Sequence, residues 1–222
     1  MPDLTRFFAL LDAVPVAPDA EAIWDPSTPG GALRRRNLER YLGLVAGADT
    51  ALIAEAPGWR GATVTGVPFV SMRELTARPG PITGAPDGDG FAVPDGPAPL
   101  WEASSAVVRA SLSTWGRPLP VSWPVFPHHP FRAGEPASNR TPRPAEIRAG
   151  APVALELLAA LGIRRVVAVG RKAEGALADA GVTAIPVRHP AQGGAARFAA
   201  GLAALAPGGS GARERGNAPE AG

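Results

Sequence analysis

Two residues in this chain stand where chemistry is readily done. Glu55 ends the apolar run "TALIAEAP" and is followed at once by a turn on Pro57 and Gly58. A carboxylate at the end of a buried strand is costly unless it is paired or used. It is therefore either an acceptor for backbone N–H groups of the turn or a working acid–base group. His189 ends a second apolar run, "VTAIPVRHP", with Pro190 directly after it. An imidazole there either caps the strand end or donates to a substrate. The remaining histidines, His128 and His129, adjoin each other in "PVFPHHPF". Neighbours in an extended chain point to opposite sides, so no metal site is expected, although Glu55 could add an oxygen ligand to one.

The elements that must position these groups read as alternating helices and strands. "LTRFFALLDAV" and "GALRRRNLERYLGLVAGA" (residues 31–48) carry apolar residues at helical spacing. "TALIAEAP" is a short buried strand with a turn signal behind it. Residues 60–100, rich in Gly, Pro and Asp, read as a long loop with at most a short helix near "SMRELT". "ASSAVVRASLSTWG" predicts a helix. "PVSWPVF" predicts a strand in which Pro124 marks an end, an edge or a bulge. After the loop "PHHPFRAGEPASNRTPRP" comes the helix "AEIRAGAPVALELLAALG", with Gly162 at its C-terminus. "RRVVAVG" (strand), "RKAEGALADAG" (helix), "VTAIPVRHP" (strand) and "ARFAAGLAALA" (helix) complete the order.

This alternation predicts an α/β fold: a three-layer αβα arrangement around a central, mostly parallel four-stranded sheet. Residues 1–206 are expected to form one domain. Residues 207–222, "PGGSGARERGNAPEAG", carry no core residues and are expected to be a disordered tail. In a parallel sheet, ligands bind at the carboxyl ends of the strands. Glu55, the segment Pro124–His129 and His189 would then share one edge.

Composition narrows the classes. The 222 residues are 45% hydrophobic and 19% charged, as in a globular chain. No apolar run approaches the roughly 18 residues that span a bilayer. The start, "MPDLTRFFALLDAV", has neither a basic n-region nor a cleavage site, so a cytoplasmic address is expected. With Cys 0, disulfides, cysteine nucleophiles, cysteine-held zinc and iron–sulfur clusters are excluded. The net charge of +2 gives no global basic field, and Lys172 is the only lysine beside many arginines. Arginine suits phosphate recognition; it also follows from a GC-rich coding sequence.

Three segments carry a resemblance. "AEAPGWRGATVTGVPFVS" resembles the first motif of the uracil-DNA glycosylase superfamily, in the branch that reads G-E-A-P-G followed by G-x-P-F-V-G. "VRHPAQGG" resembles that superfamily's second motif, and "SNRTPRPAEI" the segment N-R-x-P-x-x-x-E that leads into a helix. Their order and spacing match over roughly residues 48–205. The resemblance implies an enzyme of base excision repair that flips a base out of DNA and hydrolyses its N-glycosidic bond. It implies His189 as donor to the developing anion on the base, and Glu55 near the sugar, positioning water. Backbone of Ala56, Pro57 and Gly58 would contact the base or a phosphate, and Phe69 would stack on the base. Asn139, Arg140, Gln192 and Gly193 would contact DNA. Each has a plainer reading: a loop Phe plugged into the core, a helix start at "NRTP", a tight loop at Gly193 and Gly194.

Two departures stand out. The iron–sulfur branch has four cysteines, absent here. The residue expected to read the base edge after the second strand is Asn, and this chain has Pro124 there, in "SWPVFP". Proline has no polar side-chain group and no N–H. The base would then be read by backbone groups, by His128 or His129, or with altered specificity, a deaminated purine included. The expectation is a monofunctional DNA glycosylase without metal or cofactor, acting as a monomer on DNA with a damaged base. It would be nucleoid-associated through that DNA and make no membrane contact. The two-histidine loop and the Arg-rich residues 132–148 would line the DNA side. The alternatives are a non-catalytic nucleic-acid-binding protein of the same fold and a hydrolase of free nucleosides or nucleotides.

Overall fold

A computed structural model describes residues 2–95, 101–116 and 118–206. The tail expected at 207–222 lies outside the described residues. In chain order the elements are α1 (Thr5–Asp12), β1 (Ala20–Glu21), α2 (Pro29–Leu44), β2 (Thr50–Ala54), α3 (Ala62–Thr65), α4 (Met72–Leu75) and α5 (Ala103–Leu112). They continue as β3 (Val121–Pro124), β4 (His129–Pro130), α6 (Pro144–Ala160), β5 (Arg165–Val169), α7 (Arg171–Asp179), β6 (Ile185–Val187) and α8 (Ala195–Leu205).

The four longer strands form a parallel sheet in the order β3-β2-β5-β6, flanked by helices as an αβα arrangement. Every residue of β2 is buried, as the apolar run Ala51–Ala54 after Thr50 suits a strand with neighbours on both sides. Pro124 is the last residue of β3, an edge strand, and sits opposite Ala54. A proline there removes no central ladder bond. Pairing nevertheless continues past it, since Val125 and Phe126 N–H donate to the carbonyls of Ala54 and Glu55 at 2.9 and 3.0 Å. These bonds fix the backbone of Glu55.

Side chains from both faces fill one hydrophobic core among the described residues. Trp123 of β3 stacks on Trp24 with centroids 4.9 Å apart and meets the edge of Phe7 at 5.0 Å. α6 runs through Pro152 without ending, and Gly162 after it adopts φ +64° as its C-terminal stop. Two features lie beyond the expectations. α3 forms a single turn inside the long loop, and β1 pairs antiparallel with β4 in a separate two-stranded sheet. Strands of two residues leave no period to read.

Candidate functional site

The carboxyl ends of β2, β3 and β6 open into a cavity of about 260 Å³. Drug-sized pockets run roughly 300–1,000 Å³, so this one suits a single heterocycle. Of the residues singled out from sequence, Glu55, Ala56, Pro57, Gly58, Phe69, Pro124, Asn139, Arg140 and His189 line it. Gln192 and Gly193 do not. They form the exposed turn between β6 and α8, both at positive φ, +53° and +73°.

Glu55 follows β2 and is half-buried. Burial pushes its carboxyl pKa up; the Lys172 ammonium, 3.6 Å away at the start of α7, opposes that shift. Lys172 also donates to Thr141 Oγ1. His189 follows β6. The backbone N–H of Ala191 donates to its Nδ1 at 3.1 Å. A backbone N–H can only donate, so Nδ1 is an acceptor and the ring proton resides on Nε2. Burial, and then the charge of Arg188, hold the imidazole pKa below its ordinary value. His189 is thus a neutral ring with its Nε2–H as the available donor. Gly194 makes this turn possible, because a Cβ there would lie 1.9 Å from the His189 carbonyl oxygen.

Phe69 packs partly against the core and lines the cavity at φ +53°. For a bulky side chain that conformation costs on the order of 1–3 kcal/mol and persists only where the surroundings impose it.

Asn139 and Arg140 reach the cavity as parts of an internal scaffold. Asn139 Oδ1 accepts from the Trp59 N–H at 3.0 Å and faces His129 Nε2 at 3.3 Å, so it holds the Pro57–Gly58–Trp59 turn. Arg140 bonds both oxygens of Asp19, at 3.0 and 3.1 Å, and both of Glu146, at 2.7 Å each. These carboxylates raise the guanidinium's pKa still further.

The two adjacent histidines point inward and to different sides. His128 Nε2 meets the Val14 carbonyl at 3.2 Å, and His129 Nε2 meets that of Ser138 at 2.9 Å. Neither lines the cavity, so the idea that one of them reads the base finds no geometry here. Among the described residues no group of three or more His, Cys, Asp or Glu converges as metal ligands. No described helix is long and apolar enough to cross a membrane.

Sequence reasoning missed Glu102, Ser104 and Trp123, which also line the cavity. Trp123 could have been found as the inward neighbour of Pro124. Glu102 gives no local signal, since it meets the turn only through the fold. A second cavity, about 330 Å³, is bounded by Val14, Trp24, Asp25 and His128. It receives none of the carboxyl ends of the parallel sheet, which is why the first is the candidate site.

No protein-family model matches the sequence, and no curated protein matches it. Among solved structures the chain is similar to the crystal structure of wild-type Pedobacter heparinus SMUG2, with a TM-score of 0.53 and 16% identity, covering 71% of this chain and 76% of that one. At this identity the likeness is one of fold. It is a likeness of the αβα fold alone and stands beside the motif resemblance stated above.

Proposed function

We propose that the cavity receives a base flipped out of DNA and that the protein hydrolyses its N-glycosidic bond. The observation that carries this reading is the convergence, in one cavity of base size, of a neutral imidazole donor, a carboxylate and an aromatic ring. Cleavage of an N-glycosidic bond builds positive charge on the sugar and negative charge on the leaving base. The Nε2–H of His189 would donate to the anion forming on a base carbonyl oxygen. Being neutral beforehand, it competes with no counter-ion. As a carboxylate, the form that the neighbouring Lys172 ammonium favours against burial, Glu55 would stabilise the sugar cation and hold the attacking water. Phe69 would stack on the base. No metal or cofactor enters this chemistry: water would add its hydroxyl to the sugar carbon as the N-glycosidic bond breaks, its proton would end on the departing base, and His189 and Glu55 would finish in their starting protonation states.

Asn139 and Arg140 act in this reading as positioning groups, since their polar atoms are engaged internally. Exposed Arg60, Arg171, Lys172 and Arg188, which follow or precede the strand ends, are the cations placed to meet phosphates, together with the Gln192–Gly193 turn. Binding should then weaken as salt rises, in proportion to the phosphates neutralised. Pro124 favours one second reading, a nucleic-acid-binding protein that keeps the pocket without turnover.

Single-turnover incubation with labelled oligonucleotides bearing uracil, hypoxanthine, xanthine or a mismatch separates the two. Excision of one base, lost in His189→Ala, supports the enzyme. Salt-dependent binding without excision of any base supports the second reading.

A further inference from the structure

Several polar groups of the cavity are engaged within the protein: Glu55 Oε1 faces Lys172, Asn139 Oδ1 holds the Trp59 N–H, Arg140 is bonded to Asp19 and Glu146, and His189 Nδ1 is occupied. Among the described residues Trp123 Nε1 is a buried donor without a partner, and Glu102, directly before α5, offers an acceptor. Its Oε2 accepts from Ser105 Oγ, while its Oε1 has no hydrogen-bond partner among the described residues. The carboxyl group lies over the turn that follows β2, in space that two missing side chains leave open. A Cβ at Gly58 would be 2.7 Å from Oε1, and one at Gly61 would be 2.4 Å from Oε2. The turn thus has glycine at both positions where a side chain would displace this carboxyl group. No described residue uses Oε1.

We infer that Glu102 touches the substrate and reads a –CO–NH– edge of the flipped base, supplying a hydrogen-bond donor and acceptor where Pro124 supplies neither. This rests on the glycosylase reading above and deepens it. A neutral carboxyl group donates its O–H to the base carbonyl and accepts the base N–H through its other oxygen. Uracil and hypoxanthine both carry that edge. An ionised carboxylate offers two acceptors and suits an exocyclic amino group such as that of cytosine.

The surroundings favour the neutral form. Burial raises the pKa of Glu102. The Ser105 hydroxyl opposes that, the Glu74 carboxylate of α4 adds to it, and Arg60 of the turn opposes it. Excision of uracil should therefore fall on the alkaline side as Glu102 ionises.

The test compares wild type, Glu102→Gln and Glu102→Ala in single-turnover excision of uracil and hypoxanthine across a pH series. Thermal melting checks that each variant is folded. A permanent amide has the same donor and acceptor, so Glu102→Gln should keep excision within a few-fold and lose the alkaline limb. Glu102→Ala should be slower by about ten- to a hundredfold, the usual worth of a bidentate base contact. Equal rates for Ala and wild type overturn the inference. So does a Gln variant as slow as Ala, an alkaline limb that persists in Gln, or preferential excision of cytosine.

Calorimetric titration with free uracil and free hypoxanthine separates this inference from the parent reading. If no base is excised, the catalytic reading fails. Binding of free base that survives in Gln and is lost in Ala then still supports Glu102 as the reader. Absence of both excision and free-base binding overturns it.

Discussion

Lys172 Nζ stands 3.6 Å from Glu55 Oε1, which pairs the chain's only lysine with the carboxylate at the end of its central strand. The pair joins α7 to the turn after β2. It also sets a charge state, because burial raises the Glu55 pKa and the ammonium is the first influence that lowers it. Removing the charge with Lys172→Met should move Glu55 protonation to higher pH. If ionised Glu55 is needed, the acid limb of excision shifts upward by about one unit, the scale of a single nearby charge. Lys172→Arg should restore it. A pH–rate series on the three proteins measures this, and an unmoved limb removes Lys172 from the site.

His189 is held neutral by burial and by Arg188, with its donor on Nε2. His189→Ala should slow excision by roughly 10²–10³, the loss expected for one preorganised donor. Arg188→Ala should let the imidazole pKa rise, so the ring takes up a second proton at higher pH than in wild type. NMR titration of the His189 ring checks the direction. A lower pKa in Arg188→Ala contradicts it.

Pro124→Asn tests whether base selectivity can be added. The position is the last of an edge strand, so an added N–H disturbs no central ladder bond. An amide facing the cavity should raise the preference for uracil over cytosine by roughly tenfold or more, at about 1–3 kcal/mol for a well-placed contact pair. Competition between the two substrates in one reaction reads the ratio directly.

The Asp19–Arg140–Glu146 cluster should govern acid stability. Hydrogen bonds from Arg143 and Arg140 hold the Asp19 carboxyl well below its usual value, and Arg140 does the same for Glu146. A depressed carboxyl pKa contributes stability that is complete above the unfolded-state values of 3.8 and 4.5 and is lost as pH falls through the folded ones. Arg140→Met should lower the melting temperature by several degrees at neutral pH. The gap from wild type should close in strong acid. A gap that stays constant with pH would mean the loss is packing alone.

Much of the site was legible because parallel strands deliver their ends to one edge. Once "TALIAEAP" and "VTAIPVRHP" read as strands, Glu55 and His189 had to lie on the same side, and they do. Pro124, which lacks an N–H, marked an end, an edge or a bulge, and it is the last residue of an edge strand. What stayed hidden depends on partners distant in the chain. Arg140 reads as a free cation until Asp19, 121 residues away, is seen beside it. The loop of His128 and His129 reads as lining the DNA side, yet each ring is turned inward to a backbone carbonyl. Glu102 is one more helix-start carboxylate until the two glycines beneath it are in place.

The sheet order has a mechanical consequence. Glu55 hangs from β2, which is flanked on both sides and fully buried, whereas His189 hangs from β6, three residues long, paired among the described residues only with β5 and with Ile185 and Pro186 exposed. Local opening is cheapest where pairing and burial are least. The cavity therefore has a fixed wall and a loose one. Protection of the amides against exchange should fade first around β6, and on the proposed reading this is the side that would open to release the base while the carboxylate keeps its place.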